Sequence, residues 1–198
     1  MAERRQHNTD GRIARGERTR EAIVAAHTAL LLDGVLKPTG KLIAERADIS
    51  LRTLWSNFGD LEALLAETTR HWLEADAALR VVIDPDAPLP ARIDRFCAMR
   101  ASRWEHLAPA ARSASLGEPF SEALRASRRE HLARVRLDIN QVFATELEAA
   151  GTGREQLRVA LFVAASWPSW ASLRDDLGLD PDAAQAIMRR TIAALLRP

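Results

Sequence analysis

Tyrosine is absent from this chain and cysteine occurs once, at Cys97. A single thiol excludes an intrachain disulfide and any cysteine-rich zinc site. No apolar run approaches the roughly 20 residues needed to cross a bilayer. The opening MAERRQHNTDGRIARGERTR is polar and basic without a hydrophobic centre, which is not the pattern of a secretory signal peptide. A cytoplasmic protein without membrane contact is therefore expected. There is no HExxH, no histidine pair at ligand spacing, and no glycine-rich loop between a strand and a helix. Neither an enzyme, a metal site nor a cofactor is expected.

What is present is helical. The hydrophobic fraction is 47% and the charged fraction 28%, ordinary values for a globular chain. At 198 residues it suits one compact body or two closely packed helical units with a sizeable core. β-Branched residues are scattered and no stretch alternates with period two, so helix is expected almost throughout from residue 18. The first helix is placed at about 18–33, with Ile23, Ala26 and Leu30 on one face and Gly34 as its stop. A fourth helix is placed at about 60–82. The segment after it, DPDAPLP, carries Pro85, Pro88 and Pro90 and reads as a loop. Further helices follow at about 91–106, 109–115 (short and irregular) and 119–150, the last ended by Gly151 and Gly153. The final two lie at about 155–175, interrupted at Pro168, and 181–196, with Asp180 as cap and Pro181 at the first helical position.

The most specific segment is TGKLIAERADISLRTLWSNFGDLEALL, residues 39–65. Thr39 and Ser50 can each cap a short helix by accepting a backbone N–H that would otherwise lack a partner. Ile43, Ala44, Ala47, Ile49, Leu54 and Phe58 supply the small and medium apolar residues that let two helices cross closely. That is the pattern of a helix-turn-helix, whose second helix enters the DNA major groove. A pair of ordinary core helices is the alternative. The polar, short-reaching group Ser50, Leu51, Arg52, Thr53, Ser56 and Asn57 at one helix start favours the former.

Net charge is +1, but Arg4, Arg5, Arg12, Arg15, Arg18 and Arg20 crowd the first twenty residues against Glu3, Asp10 and Glu17. Such an arm can reach phosphates or a minor groove, or be a solvated tail. His27 is expected in or beside the core, and His71, His106 and His131 at surface or boundary positions on separate helices. Cys97 follows Phe96 on an apolar helix and reads as a buried inert thiol, with a redox sensor as the alternative.

The N-terminal third resembles the DNA-binding domain of the TetR family of transcriptional regulators. Ile23, Ala26, Gly34, Thr39, Ile43, Ala44, Ala47, Ile49, Ser50, Thr53, Leu54, Trp55, Phe58, Glu62 and Leu64 carry the resemblance, in the family's order and spacing. The remainder is similar only in length and helical character, apart from WASLRDDLGL at 170–179, which resembles the family's penultimate helix and following turn. The resemblance implies an all-α protein, with a flexible basic arm at 1–17, a three-helix helix-turn-helix domain at 18–65, and a larger helical effector-binding and dimerisation domain at 66–198. Three residues depart from the family. Asp48 stands where the turn usually has Gly, a left-handed position that Asp tolerates. Trp55 replaces Tyr; its indole N–H donates but cannot accept. Leu61 replaces Lys, removing one phosphate contact and predicting a shallower salt dependence.

Arg52 suits the paired acceptors of guanine and is expected to read a base. Leu51 is set to touch a thymine methyl, and Thr53 a base or phosphate. Thr39, Lys41, Trp55 and Asn57 are expected to hold phosphates, with Ser50 as the cap. In the family the C-terminal region forms a pocket whose ligand controls DNA affinity. Phe96, Met99, Arg100, Trp104, Phe143 and Trp167 are the candidates here for an unknown small-molecule effector. The four aromatic ones, Phe96, Trp104, Phe143 and Trp167, belong to a set that also includes Phe120, Phe162 and Trp170. A surface salt bridge is the competing fate for Arg100. The family's last two helices dimerise, which nominates Val159, Phe162, Val163, Ile187, Thr191, Ala194 and Leu195. A homodimer implies an inverted-repeat operator in double-stranded DNA, and a repressor is expected. The alternative is a helical small-molecule-binding protein whose helix-turn-helix no longer binds DNA.

Overall fold

The computed structural model describes the backbone of residues 2–197 and the side chains of residues 14–197. Among these the protein is all-α, with no strand. The helices are α1 (Ala2–Leu32), α2 (Gly40–Arg46), α3 (Leu51–Phe58), α4 (Leu61–Ala78), α5 (Leu89–Gly117), α6 (Glu122–Val142), α7 (Ala144–Ala149), α8 (Arg154–Ala164), α9 (Trp167–Ala171) and α10 (Pro181–Leu195). Short 3-10 turns at Glu118–Phe120 and Gly151–Gly153 join them, and α9 continues as a π-helical turn at Ser172–Asp176.

Most terminators are those the local chemistry dictates. Thr39 Oγ1 accepts the Leu42 N–H at 3.2 Å, Ser50 Oγ the Thr53 N–H at 3.0 Å, and Asp180 Oδ1 the Ala183 N–H at 2.8 Å. Each satisfies one of the donors that a helix start leaves open. Gly34 and Gly178 end their helices at φ 84° and 66°, a region closed to most side chains. Asp48 adopts φ 53° in the turn between α2 and α3, the left-handed conformation its position requires.

The chain divides into two compact units: Met1–Leu73 with Pro109–Ser127, and Glu74–Ala108 with Arg128–Pro198. The sequence-based division at residue 65 thus moves to 73, and 109–127 joins the N-terminal helices. Contacts within the first unit account for this. Ser113 Oγ donates to the Leu36 carbonyl at 2.8 Å, and the Ala123 N–H donates to Glu62 Oε2 at 3.0 Å.

Several boundaries differ from the sequence reading. The first helix begins at Ala2 instead of near Arg18. The side chains of the arm residues Arg4, Arg5 and Arg12 lie outside the described residues. Residues 89–117 form one helix with Pro109 inside it, not two. A proline inside a helix loses its own donor and crowds the carbonyl one turn back, at a cost of about 3 kcal/mol. Burial of Trp104, Leu107 and Ala108 just before it holds the helix in place, and the alanine-rich flanks Leu107-Ala108 and Ala110-Ala111 favour helix around it. Residues 119–150 break instead at Phe143, whose φ and ψ of −117° and 28° leave the helical region. Its ring is fully buried edge-on to Phe96, centroids 5.1 Å apart.

In the first unit Ile23, Val24, Ala26, Leu30, Ile43, Ala44, Leu54, Phe58 and Leu64 form one core joining α1 through α4, with Val35, Leu42, Ala47, Ile49 and Trp55 around it. In the second, α8 packs on both α7 and α10. Phe96, Phe143, Ile139, Leu147, Leu161 and Ile192 are fully buried there.

Candidate functional site

Two turns of α3 carry the first candidate site. Leu54 and Phe58, one turn apart, are buried against α1 and α2. The opposite side therefore faces out. Ser50, Leu51, Arg52 and Ser56 are exposed, while Thr53, Trp55 and Asn57 are half-buried. Among the described residues Arg52 has no hydrogen-bond or ion-pair partner. Lys41 is 81% exposed and only loosely paired with Glu45 at 3.8 Å, a contact worth little in water.

The remaining polar groups are committed to the helix. Ser50 Oγ and Thr53 Oγ1 share a hydrogen bond of 2.8 Å, and the Thr53 carbonyl accepts from Ser56 Oγ and Asn57 Nδ2 at 2.9 and 2.8 Å. Thr39 accepts in its cap, so its own O–H remains free to donate. Trp55 lies across the start of α2: a Cβ on Gly40 would stand 2.5 Å from its Cζ2. Sequence reading only counted Arg20 among the basic residues that crowd the first twenty positions. Its guanidinium donates to the Asn57 carbonyl and lies 4.2 Å from the centroid of the Phe58 ring. A cation at the last carbonyls of α3 stabilises that end. The cue in sequence was only its distance from the helix start.

The second unit places the six nominated pocket residues in two groups. Phe96 and Phe143 pair in the core, and Met99 is buried. Arg100, Trp104 and Trp167 form a stack: the Arg100 Cζ is 4.6 Å from the Trp104 centroid, and Trp167 is 5.6 Å from Trp104 on its own account. His131 joins them, its ring 4.8 Å from Trp104. Trp170 is buried and donates from Nε1 to Glu105 at 3.0 Å. Phe120, in the first unit, is 87% exposed.

Arg100 does not form the surface salt bridge that its residue type suggested. It is fully buried, its Nε and Nη1 have no partner, and Nη2 reaches only the Ala165 carbonyl at 3.4 Å. Burial lowers its pKa to about 9. Burying an unpaired guanidinium costs on the order of several kcal/mol. The cue was present in sequence, since Phe96, Arg100 and Trp104 follow one another at helical spacing. His131, expected at the surface or boundary, is half-buried with Nε2 unpartnered, and burial lowers its pKa to about 3.

Two other arginines of α5 are buried but satisfied. Arg103 donates to both oxygens of Asp76 at 2.7 and 2.6 Å and to Asp138 at 2.9 Å; Asp138 also accepts from Arg80 at 2.9 Å. Arg92 meets Glu146 at 2.9 and 2.5 Å and the carbonyls of Val142 and Ala87 at 2.6 and 2.8 Å. Cys97 is fully buried, and burial pushes its thiol up to about 12, which leaves it unreactive. No group of acidic, histidine or cysteine side chains suited to a metal occurs among the described residues, and no described helix is long and apolar enough to cross a membrane.

On α8 and α10, Val159, Val163, Ile187, Thr191 and Ala194 are exposed, and Phe162 and Leu195 half-buried. Val163 is 54% exposed. Their inward neighbours Leu161, Met188 and Ile192 are buried.

The fold is similar to that of a transcriptional regulator from Rhodococcus sp. Rha1, whose crystal structure matches with a TM-score of 0.66 and 16% sequence identity over 91% of this chain and 95% of that one. No protein-family model and no curated protein matches the chain. At that identity the likeness establishes the arrangement of helices.

Proposed function

We propose that this protein is a cytoplasmic, dimeric DNA-binding regulator of transcription of the TetR kind, a repressor that leaves an inverted-repeat operator when a small molecule binds its second unit. The observation that carries this reading is the outward, unpaired Arg52 in the first turn of α3, beside exposed Leu51, on a helix whose other face is sealed by Leu54 and Phe58. A guanidinium there can donate to guanine O6 and N7, and Leu51 can meet a thymine methyl. Thr39, Lys41, Trp55 and Asn57 flank that face and would fix the register on phosphates, with Thr53 beside Arg52. The fold likeness to a protein described as a transcriptional regulator supports the same reading.

The uncovered apolar residues of α8 and α10 support a two-fold interface made of the same patch twice. Two copies of α3 at a fixed spacing would demand two half-sites. Release follows from linkage: an effector that prefers the spacing incompatible with DNA lowers operator affinity by its differential affinity for the two states. A catalytic role has no residue constellation behind it.

The test is Arg52→Ala on the duplex flanking the protein's own gene and on random duplex. A loss of roughly 1–3 kcal/mol on the former and almost none on the latter is expected. Equal loss on both assigns Arg52 to the backbone. Absence of specific binding by the unaltered protein favours the second reading, a small-molecule-binding protein with a degenerate helix-turn-helix, to which exposed Leu61 alone points.

A further inference from the structure

Helix α5 carries three buried arginines, and only one lacks acceptors. Arg92 and Arg103 each donate three or more hydrogen bonds to carboxylates and carbonyls. Arg100, fully buried one turn before Trp104, leaves Nε and Nη1 without any partner. A fully buried guanidinium with two nitrogens lacking partners calls for an explanation. A purely structural arginine would have recruited a carboxylate, as its two neighbours did.

Its charged neighbours offer no free acceptor. Asp76 and Asp138 both accept from Arg103, and Asp138 also from Arg80, so both carboxylates are spent on other partners. His131 supplies no counter-charge and brings a further unpartnered nitrogen, Nε2, to the same Trp104 ring. The Arg100 guanidinium lies over Trp104, and the Trp167 ring packs tilted against that indole. The Ala165 carbonyl, just past α8, accepts from Trp104 Nε1–H at 3.0 Å and only distantly from Arg100 Nη2 at 3.4 Å. Trp167, two residues on and half-buried, is the wall of the stack that reaches solvent.

We infer that Arg100, with His131 beside it, is the anchor for a small-molecule monocarboxylate whose apolar body lies against Trp104 and Trp167. A single carboxylate supplies the acceptors that the Nε and Nη1 donors lack. A carboxylate accepts from the open guanidinium donors with the strength of a charge-assisted bond, and the indoles cover an aromatic or aliphatic body. The inference rests on the reading of the second unit as the sensor and names the chemistry it senses.

The test uses the full-length protein and matched pairs of probes: benzoate, 2-naphthoate and octanoate, each against its neutral amide, with binding measured by calorimetry. At least one acid binds about tenfold or more tightly than its amide, and Arg100→Met abolishes the preference while the unliganded variant melts no lower than the parent. An arginine kept for structure would give the opposite melting result, so a lower melting temperature or failure to fold for Arg100→Met overturns the inference. No acid preference anywhere in the series overturns it as well, on the unaltered protein alone. An acid that binds through Arg100 but leaves operator occupancy unchanged keeps the site and removes the effector role. Operator release by an amide with no acid preference does the reverse.

Discussion

At the residue level two arginines without anionic partners stand in opposite surroundings. Arg52 is exposed at the start of α3, where water solvates it until a partner arrives; Arg100 is sealed in the second unit with its donors open. Leu61 is a third residue defined by what it lacks, an exposed apolar side chain at the first position of α4, 47% accessible. Leu61→Lys should strengthen DNA binding and steepen the slope of log affinity against log salt by about 0.9, one phosphate's worth of counterion release. A titration at several salt concentrations measures it, and an unchanged slope would place Leu61 away from the DNA. His27 in α1 is buried, with Nδ1 3.0 Å from Thr68 Oγ1, and desolvation lowers its pKa to about 4. The unfolded chain therefore binds the proton more tightly than the folded one. Stability is full above the unfolded value of about 6.5, falls as pH drops from there, and levels off below about 4. Between pH 7.5 and 5 the loss from this group is roughly 2 kcal/mol, which urea midpoints can follow. His27→Gln, which keeps a polar partner for Thr68, should remove about that much of the fall and leave the part contributed by His131, whose pKa burial lowers to about 3. The caps at Thr39 and Ser50 and the left-handed Asp48 were legible in sequence because each is set by chemistry within three residues. The burial of Arg100 was legible only in its helical spacing from Phe96 and Trp104; the lack of acceptors was not, because the rest of its environment comes from α6, α8 and α9, far along the chain.

At the level of the element, the crossing of α2 and α3 depends on Gly40 and Trp55. The indole occupies the space a Cβ at position 40 would need. Gly40→Ala removes a helix-weakening glycine, yet the clash outweighs the gain, since overpacking costs about 1–3 kcal/mol against about 1 kcal/mol of helix propensity. A net loss of about 1 kcal/mol is expected from thermal unfolding, and it should shrink when the smaller ring of Trp55→Phe makes room. Sequence periodicity found every helix of the helix-turn-helix but misplaced breaks further on. Proline at 109 suggested an end where the helix continues, because its cost of about 3 kcal/mol is outweighed by the packing of the buried Trp104, Leu107 and Ala108 before it. No breaker residue marked position 143, where the interruption accompanies the edge-on packing of Phe143 against Phe96. Tertiary packing, not local propensity, decides such points.

At the level of the whole molecule, three helices (α4, α5 and α6) each contribute residues to both compact units. The division at 65/66 could not foresee this, since the return of 109–127 to the first unit depends on Ser113 and Glu62 meeting partners distant in sequence. The all-α class, by contrast, was fixed by composition and periodicity alone. The proposed function needs the first unit to read DNA twice, from two copies joined along α8 and α10. Selection of bound duplexes from a random library by the full-length protein tests this most directly. The expected result is enrichment of one inverted repeat, with half-sites about one helical turn apart or a multiple of it, and with guanine at the position lost by Arg52→Ala. Recovery of sequences no different from the starting library, or of a single unrepeated half-site, would contradict it.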